Sequence, residues 1–334
     1  MKKIRIGQIG IGHNHAEAKM LAVRKFPELF EVIGVCETDP EWIEKRGNLK
    51  AYDGLPFVSE KYLLENCDAI LIETDVWNLT QTALRCVQAG KHIHLDKPAN
   101  GTYADYKKVL DLAREKRLTV QLGYMYRYNP AIRYCMDAVG RGELGEIFSV
   151  NAEMSTCHAQ EYRQWLQHFQ GGIMYILGSH LIDLIVWMLG APQKVTSFLK
   201  HSGFDGVECC DNNQCILEYE HALARVNVTS VEVNGWGRRQ FVVCGSEGTI
   251  VIEPIENETA IWRADKAQIG NRIYENIKTD ISLASVPMDC RYDQMVRDFF
   301  DYVTGGKENP YTYDHELLVH EVLGSVCGYN EFLK

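Results

Sequence analysis

The chain has 334 residues, of which 46% are apolar and 24% charged, and its formal net charge is −10. A chain of this length and composition can bury a large core and is long enough for two domains. The acidic balance speaks against nucleic acid as the main partner. The longest apolar stretch, residues 171–190, is interrupted by His180 and Asp183, so we predict no membrane span.

The chain enters its first predicted strand directly after Met1, with no secretory h-region or cleavage site, so we expect a cytoplasmic protein. It has eleven cysteines, an odd number, and no C-x-x-C pair. Most of them lie within apolar element patterns, which predicts buried, reduced thiols.

The first elements are an apolar strand, KKIRIG, and a helix, HAEAKMLAVRKF, separated by a glycine turn. Gly10 and Gly12 allow close backbone approach, and the helix N-terminus offers free N–H groups to a pyrophosphate. A G-x-G-x-x-G turn would have its third glycine at position 15, where His15 stands. Taken alone, the turn fits a dinucleotide cradle, a plain tight turn, or a metal site built on His13 and His15.

Strand and helix patterns alternate from this turn to about residue 124. The buried-strand patterns are at 31–39, 67–74, 91–98 and 119–127, and the main helical patterns are at 78–90 and 102–117. Thr102 and Asp105 form a predicted capping box at the start of the second of these helices. The alternation predicts an α/β fold with a doubly wound parallel (Rossmann) sheet over residues 1–124, whose ligands bind at the carboxyl ends of the strands.

The pattern changes near residue 125 to long strands joined by short turns. These strand patterns are at 145–154, 194–201, 213–233 and 238–254. They predict a large, open, mostly antiparallel sheet, and hence a second, α+β domain over residues 125–334. Helical patterns at 291–303 and 313–333 could pack on either domain.

Several residues at the carboxyl ends of the first-domain strands are candidates for binding a ligand. Besides the glycine turn, they are Glu37, Thr74, Asp96, Lys97, Pro98, Tyr126 and Arg127. An acid at position 37 can accept hydrogen bonds from the adenosine ribose hydroxyls and would repel a 2′-phosphate. Thr38 follows it, and not an arginine. We therefore predict NAD in preference to NADP.

A metal site on His13 and His15 requires further ligands at strand ends, as in barrel hydrolases that carry His-x-His after their first strand. Such a barrel has eight strand–helix repeats, and this chain changes its pattern after the first domain. We therefore predict no bound metal.

Three segments carry a family resemblance. They are AGKHIHLDKPANGTYADYKKVLDLA, GYMYRYNPAIRYCMDAVGRGELGEI and GGIMYILGSHLIDLIVWMLGAP, in this order along the chain. They resemble three blocks of the Gfo/Idh/MocA family, the NAD(P)-dependent oxidoreductases that include glucose-fructose oxidoreductase and inositol dehydrogenases. The likeness covers essentially the whole chain. In the first block, Asp96 stands where the family usually has glutamate.

The resemblance implies that the glycine turn binds a dinucleotide, with His13 and Asn14 close to the pyrophosphate through their backbone N–H groups. The cofactor-binding residues expected on this basis, together with the strand-end argument, are Gly10, Gly12, His13, Asn14, Glu37, Thr74, Asp96, Lys97 and Arg127. Lys97 matches the family lysine that contacts the reacting hydroxyl and the nicotinamide region. In the family the peptide bond before the following proline, here Pro98, is often cis.

The resemblance also implies that His180 is the proton-transfer residue. Asp183 lies three residues further on and would share a helix face with His180, where it could orient the imidazole. We expect Tyr126, His158 and Asp183 on the substrate side.

One departure from the family concerns Ile176. The family usually has an aspartate four residues before the histidine, and residues four apart share one face of an α-helix. The position of that acid is apolar here. Tyr175, His158 and Asp183 are the candidates for supplying the missing group.

The function implied by the resemblance is NAD-dependent oxidation or reduction at a secondary hydroxyl of a sugar, cyclitol or related polyol. Two alternatives remain: a lyase or glycosidase that retains NAD and works by transient oxidation, and a dinucleotide-binding regulator without catalytic activity. Family members commonly pair the exposed face of the second-domain sheet with another subunit, so we expect a homodimer or homotetramer.

Overall fold

The computed structural model of the protein describes residues 2–257 and 260–330. The described residues fall into two compact units, one within Met1–Met125 and Pro287–Leu317 and the other within Tyr126–Val286 and Leu318–Lys334. In these ranges no helix combines the length and the apolar character that crossing a membrane requires. All eleven cysteines lie in the described ranges and are free thiols.

The elements up to residue 125 form a parallel α/β layer structure. The strands are β1 (Ile4–Ile9), β2 (Phe30–Cys36), β3 (Ala69–Ile72), β4 (His92–Leu95) and β5 (Val120–Leu122). The helices are α1 (Ala16–Arg24), α2 (Pro40–Arg46), α3 (Glu60–Asn66), α4 (Leu79–Gln88) and α5 (Tyr103–Lys116). The strands pair in parallel in the order β2-β1-β3-β4-β5. This confirms the predicted Rossmann sheet.

The remaining elements include a second, larger sheet. The strands are β6 (Ile147–Glu153), β7 (Lys194–Lys200), β8 (Asn212–Glu218), β9 (Leu223–Thr229), β10 (Gln240–Gly245), β11 (Gly248–Ile252), β12 (Ile261–Asp265) and β13 (Thr279–Asp280). The helices are α6 (Pro130–Gly140), α7 (Gln160–Leu166), α8 (Ser179–Leu189), α9 (Lys266–Ile269), α10 (Asp293–Thr304) and α11 (Tyr313–Val326). The order β13-β12-β11-β10-β6-β9-β8-β7 is antiparallel except for the β6–β9 pair. The predicted mostly antiparallel sheet is confirmed.

The local sequence explains the helix and strand that flank the candidate site in the first unit. All four residues of β3 are buried, as expected of a parallel strand covered on both faces. The predicted capping box starts α5, because the Thr102 hydroxyl accepts from the Asp105 amide at 3.1 Å while the Asp105 carboxylate accepts from the Thr102 amide at 3.2 Å. The start of α5 is thereby fixed by an interaction local to the sequence.

The inner face of the second sheet positions α8. In β8 the side chains of Asn213, Cys215 and Leu217 are buried and those between them are not, which is the alternation of a sheet covered on one face. Helix α8 packs on β6 and β9 and is buried from Ser179 to Val186. His180, in its first turn, is therefore held on a helix with little freedom to move.

The sequence left open on which domain the helical patterns at 291–303 and 313–333 pack. Residues 287–317 pack with the first unit, because α10 has an apolar face that covers the parallel sheet. The ring centroid of Phe300 in this helix lies 5.8 Å from that of Phe30, and the ring centroid of Phe299 lies 6.0 Å from that of His94. The helical pattern predicted for 313–333 forms α11, and its last three residues lie outside the described ranges.

Candidate active site

The glycine turn joins β1 to α1 and is closed against the ends of β2 and β3. Gly10 has φ +87°, and a Cβ there would lie 2.5 Å from the Thr74 Cα and N atoms. Only glycine fits this approach. The Gly10 amide donates to the Cys36 carbonyl at 2.8 Å, and the His13 amide donates to the Glu73 carbonyl at 3.0 Å. The His13 N–H therefore already has a partner, and a role for His13 through this amide is not supported.

The outer side of the turn is held by two side chains of α2. Arg46 donates to the carbonyls of Ile11 and Gly12 at 3.1 and 3.2 Å, and its guanidinium lies 4.8 Å from the Trp42 ring. It also donates to the Asn14 side chain at 3.3 Å. A Cβ on Gly12 would lie 2.8 Å from the Trp42 indole nitrogen. The second glycine is thus required by packing against Trp42.

A cleft of about 420 Å³ lies at the carboxyl ends of β1, β2 and β3. Its lining includes Gly10 of the turn, Glu37 at the end of β2 and Thr74 at the end of β3. The charged lining residues are the acids Glu37, Asp39, Glu60 and Asp75 and one base, Arg85. Four acids and one base give a formal charge of 1 − 4 = −3, and the Arg85 guanidinium is bound to Glu60 at 2.7 and 2.9 Å.

The carboxylate of Glu37 is fixed by three backbone amides. One oxygen accepts from the Ile11 amide at 2.9 Å, and the other accepts from Thr38 at 2.8 Å and Asp39 at 2.9 Å. An ionised carboxylate has about four acceptor positions, so capacity for a ligand hydroxyl remains. Burial raises the pKa of Asp75 in the same cleft, and the charges of Glu37 and Asp39 add to this although Trp42 donates to the Asp75 carboxylate.

A cluster of buried charged residues lies beneath the turn. The Lys19 ammonium lies 2.6 Å from the Asp96 carboxylate and 3.1 Å from that of Glu73. His13 and His15 approach Asp96 through their Nδ1 atoms at 2.9 and 3.2 Å. Lys19, Glu73 and Asp96 are at most 1% exposed. These contacts join the glycine turn and α1 to the ends of β3 and β4.

The two carboxyl groups of the cluster have opposite pKa shifts. Burial alone would raise the pKa of Asp96, but His13, Lys19 and His15 together hold it well below its usual range. Burial and the neighbouring Asp96 charge raise the pKa of Glu73 well above its usual range. Burial also lowers the pKa of His15 to about 3 against the attraction of Asp96. At neutral pH the His15 imidazole is therefore uncharged, and of the two carboxyl groups Glu73 holds a proton more readily than Asp96.

His13 and His15 are also candidate ligands of a metal ion. His13, His15 and Asp96 present ligand-type atoms within 4.8 Å of one another. However, the Lys19 ammonium contacts the Asp96 oxygen that a metal ion would need, and two cations sharing that oxygen would repel each other. We interpret the group as an ion-pair network, and the absence of a bound metal stays a prediction.

Lys97 follows Asp96 at the end of β4. Its amide donates to the Asp96 carboxylate at 2.7 Å, and the residue is 2% exposed. The peptide bond between Lys97 and Pro98 is cis. The buried cluster therefore fixes the backbone from which the Lys97 side chain extends.

In the second unit, the His180 imidazole packs against Tyr126. The two rings meet edge to face, with centroids 4.9 Å apart and planes at 88°. The Tyr126 hydroxyl donates to the Glu256 carboxylate, which also accepts from Arg239 at 2.5 Å. Tyr126, His180 and Arg239 are each less than 5% exposed.

The carboxylate of Asp183 is bound to Arg127. The guanidinium donates to it at 2.9 Å through Nε and at 2.5 Å through Nη2, and both residues are 1% exposed. The sequence predicts that Asp183 orients His180 and that Arg127 contacts the cofactor. In the structure, the charged groups of these two residues are bound to each other in a buried pair. Helical spacing could not reveal it, because the partners are 56 residues apart.

The segment that carries Ile176 is a π-helical turn, Met174–Gly178, followed directly by α8. Wider i→i+5 turns shift the faces of a helix, so the α-helical spacing assumed between positions 176 and 180 does not hold. Ile176 is buried. Tyr175 packs on Phe169 with ring centroids 5.6 Å apart.

His158 stacks on Tyr162 with ring centroids 4.2 Å apart. Burial, Arg239 and Arg163 lower the pKa of His158 to about 4. At neutral pH this imidazole is therefore uncharged.

Several residues that the structure brings to these regions were not predicted from the sequence: Lys19, Arg46, Glu73, Arg239 and Glu256. Lys19 lies in a helical pattern, where a basic residue predicts a solvated face, and Arg46 lies in α2, a short helix that the sequence did not predict. Glu73 carried a usable signal, since it is an acid at the end of a buried strand. Glu256 is 130 residues from Tyr126, and no local pattern connects them.

Both halves of the chain match known sequence families. Residues 4–124 match the model described as "Oxidoreductase family, NAD-binding Rossmann fold", and residues 132–251 match the GFO/IDH/MocA C-terminal domain. The chain belongs to the GFO/IDH/MocA family of oxidoreductases. The resemblance drawn from the three sequence segments is thereby confirmed.

Individual relatives of this family member are distant. The uncharacterized oxidoreductase YdgJ of Escherichia coli is 24% identical over 342 residues, covering 96% of this chain and 94% of its own. An uncharacterized oxidoreductase of Schizosaccharomyces pombe is 23% identical, covering 77% of this chain and 73% of its own. The structure of a levoglucosan dehydrogenase in complex with NADH and levoglucosan has a TM-score of 0.82 at 18% identity, covering 98% of this chain and 97% of its own. This last likeness shows a shared fold.

Proposed function

We propose that the protein is an NAD-dependent oxidoreductase that acts on a secondary hydroxyl of a sugar, cyclitol or related polyol. The observation that carries the proposal is the glycine turn beside an acid-lined cleft at the carboxyl ends of β1, β2 and β3, in a chain of this family. When bound, a nicotinamide dinucleotide supplies the group that exchanges hydride with the substrate carbon.

The residues present fit such a cofactor. The cleft is large enough for a nucleoside, and Glu37 presents a fixed carboxylate with spare acceptor positions for ribose hydroxyls. The Gly10–Gly12 turn, Asn14 and Thr74 are proposed to border the dinucleotide. The formal charge of −3 around the cleft would repel a 2′-phosphate, and its one base is paired with Glu60. We therefore propose NAD as the preferred cofactor.

Two residues are proposed to be catalytic. The Lys97 ammonium holds the substrate oxygen and stabilises negative charge that develops on it, an electrostatic contribution available to a cation in a water-poor site. His180 accepts the hydroxyl proton as general base in the oxidation direction. Asp96 is proposed to act through the backbone of Lys97, whose amide it binds. Tyr126, His158 and Asp183 remain the proposed substrate-side residues.

The substrate class draws on the names of relatives. One is a levoglucosan dehydrogenase, and another, dTDP-3,4-didehydro-2,6-dideoxy-alpha-D-glucose 3-reductase of Streptomyces violaceoruber, is 27% identical over 143 residues, covering 42% of each chain. Both names describe oxidation or reduction of a sugar derivative. We propose a substrate of that chemical class without choosing among its members.

The test is a panel of polyols and keto-sugars incubated with NAD or NADH while absorbance of the reduced cofactor is followed. We expect stoichiometric NADH from one class of polyol. Lys97→Ala should lose nearly all turnover while still binding NAD, and His180→Ala should lose roughly 10²- to 10⁴-fold. Product release without net NADH would instead indicate a lyase that retains NAD, and dinucleotide binding without any turnover would indicate a regulator. Full turnover in Lys97→Ala would contradict the catalytic assignment.

We also propose that the outer face of the eight-stranded sheet binds a second copy of the chain. Phe198 on β7 and Leu223 on β9 are 54% and 55% exposed, and apolar side chains of this size on an open sheet face favour a covering partner. Light scattering at micromolar concentration should give a dimer or tetramer. Phe198→Asp should shift the mass towards one chain, and a monomeric wild-type protein would refute the proposal.

A further inference from the structure

We infer that Tyr126 is a positioning residue that fixes the orientation of the His180 imidazole, and that Glu256 and Arg239 hold Tyr126 in place for this task. The inference rests on the proposed function in one respect, namely that His180 has a proton to accept. The restraint on the His180 imidazole does not depend on which substrate the protein uses.

The contact between the two rings supplies the first argument. An edge-to-face pair at 4.9 Å and 88° lies within the favoured geometry for aromatic rings. Both residues are 3% exposed, so little solvent competes for the imidazole. A general base must present one nitrogen in a fixed direction, and a neighbouring ring that limits its rotation serves this need.

The anchoring of the Tyr126 hydroxyl supplies the second argument. It donates to Glu256, and the same Glu256 oxygen accepts from the Arg239 guanidinium at 2.5 Å. Arg239 is fixed in turn, because its Nε donates to the Ser155 carbonyl at 3.1 Å and its guanidinium lies 4.3 Å from the Trp236 ring.

The ion pair between Arg239 and Glu256 is buried. The side chains of Arg239 and Glu256 are 5% and 6% exposed, and burying two charges is costly unless their geometry is well satisfied. A tyrosine that only filled space beside His180 would not require a buried ion pair at its hydroxyl. We therefore infer that the Arg239–Glu256 ion pair holds Tyr126 in place.

Other candidates for orienting His180 have different partners. Asp183 is bound at both oxygens by Arg127. His158 stacks on Tyr162, and Tyr175 packs between Phe169 and Tyr329. Tyr126 makes an edge-to-face contact with His180 and is itself anchored through its hydroxyl.

The experiment compares Tyr126→Phe with a matched control, Tyr219→Phe. Each removes one hydroxyl and its hydrogen bond in the second unit, since Tyr219 donates to the Gly190 carbonyl at 3.2 Å. With the polyol found for the wild type, Tyr126→Phe should lower kcat roughly 10- to 100-fold, the cost of a misplaced catalytic group, and should displace the pH profile of kcat, which the loss of a substrate contact alone would not do. Tyr219→Phe should match the wild type in both. Glu256→Gln keeps an oxygen acceptor for the hydroxyl and should fall between them.

A second measurement does not need a substrate. The His180 ring signals are assigned by their loss in His180→Gln and titrated by NMR in the wild type and both tyrosine variants. We expect the titration midpoint and ring shifts of His180 to change in Tyr126→Phe and to stay as in the wild type in Tyr219→Phe. An unchanged His180 titration in Tyr126→Phe would overturn the inference. A changed titration in a protein that oxidises no polyol would support the positioning role while rejecting the proposed function.

Discussion

The two regions proposed to carry function are built in different ways. The region beneath the glycine turn is organised by backbone geometry and by a compact charged cluster whose members lie at strand ends, in the turn itself or in the adjoining helix. The region around His180 is organised by side-chain contacts between segments far apart in sequence, such as Tyr126 with Glu256 and Arg127 with Asp183. A short motif can reveal a site of the first kind, whereas a site of the second kind appears only once the chain is folded.

The two regions are also expected to differ in how much stability a single substitution costs. In the first region, Asp96 contacts Lys19, His13 and His15, so it keeps other partners when one of them is removed. In the second region, Arg127 and Asp183 form a buried bidentate pair. Removing one partner of such a pair leaves the other charge buried without compensation. We therefore expect the second region to be more sensitive to single substitutions.

The largest effect is expected for Asp183→Ala. The free energy of unfolding should fall by about 3–5 kcal/mol, the usual cost of breaking a buried ion pair. The matched control is Asp111→Ala, which removes an exposed i,i+4 partner of Lys107 and should change stability by no more than about 0.5 kcal/mol. Urea unfolding of both variants gives the comparison. Equal stability of the two would show that the Arg127–Asp183 pair does not hold the second region together.

A smaller effect is expected from pH in the first region. Burial, with Lys19 nearby, lowers the pKa of His94 from its usual 6.5 to about 3. The unfolded chain therefore binds a proton at His94 between pH 6.5 and 3 that the folded chain does not, and stability falls as pH falls through this window. At pH 5 the loss from this one group is roughly 2 kcal/mol relative to pH 7.5.

The variant that tests this is His94→Gln. It should lose less stability than the wild type between pH 7.5 and pH 5, whereas His221→Gln, at a position whose side chain is 80% exposed, should follow the wild type. Thermal unfolding at the two pH values is the measurement. If His94→Gln lost as much stability as the wild type, His94 would not be held neutral by the fold.

Much of the fold followed from the sequence, for physical reasons that the structure makes plain. Parallel strands buried on both faces are nearly continuous apolar runs, and the Thr102–Asp105 capping box is a local interaction, so both could be predicted. The short elements α2, α3 and β13 were not predicted, because seven or fewer residues give little periodicity. The placement of α10 on the first unit depends on tertiary packing of Phe299 and Phe300, which a linear pattern does not contain.

The residues of the candidate sites also differ in whether the sequence could predict them. Gly10, Glu37 and Lys97 could be proposed from their places at strand ends, a topological rule that holds for open parallel sheets. Lys19 could not, because a lysine in an amphipathic helix predicts a solvated side chain and its 1% exposure arises from two carboxyl groups brought together by β3 and β4. The π-helical turn at 174–178 could not be predicted either, since the apolar pattern there fits an ordinary helix.

The proposed binding of NAD in the acid-lined cleft is tested by calorimetric titration of the purified protein with NAD and with NADP under the same conditions. We predict binding of one NAD per chain and a Kd for NADP at least about tenfold higher, a difference of about 1.4 kcal/mol. Glu37→Gln should narrow that difference, since it removes a negative charge from the cleft while keeping the side-chain length. Equal or tighter binding of NADP would contradict the assigned cofactor preference, and binding of neither dinucleotide would contradict the proposed function itself.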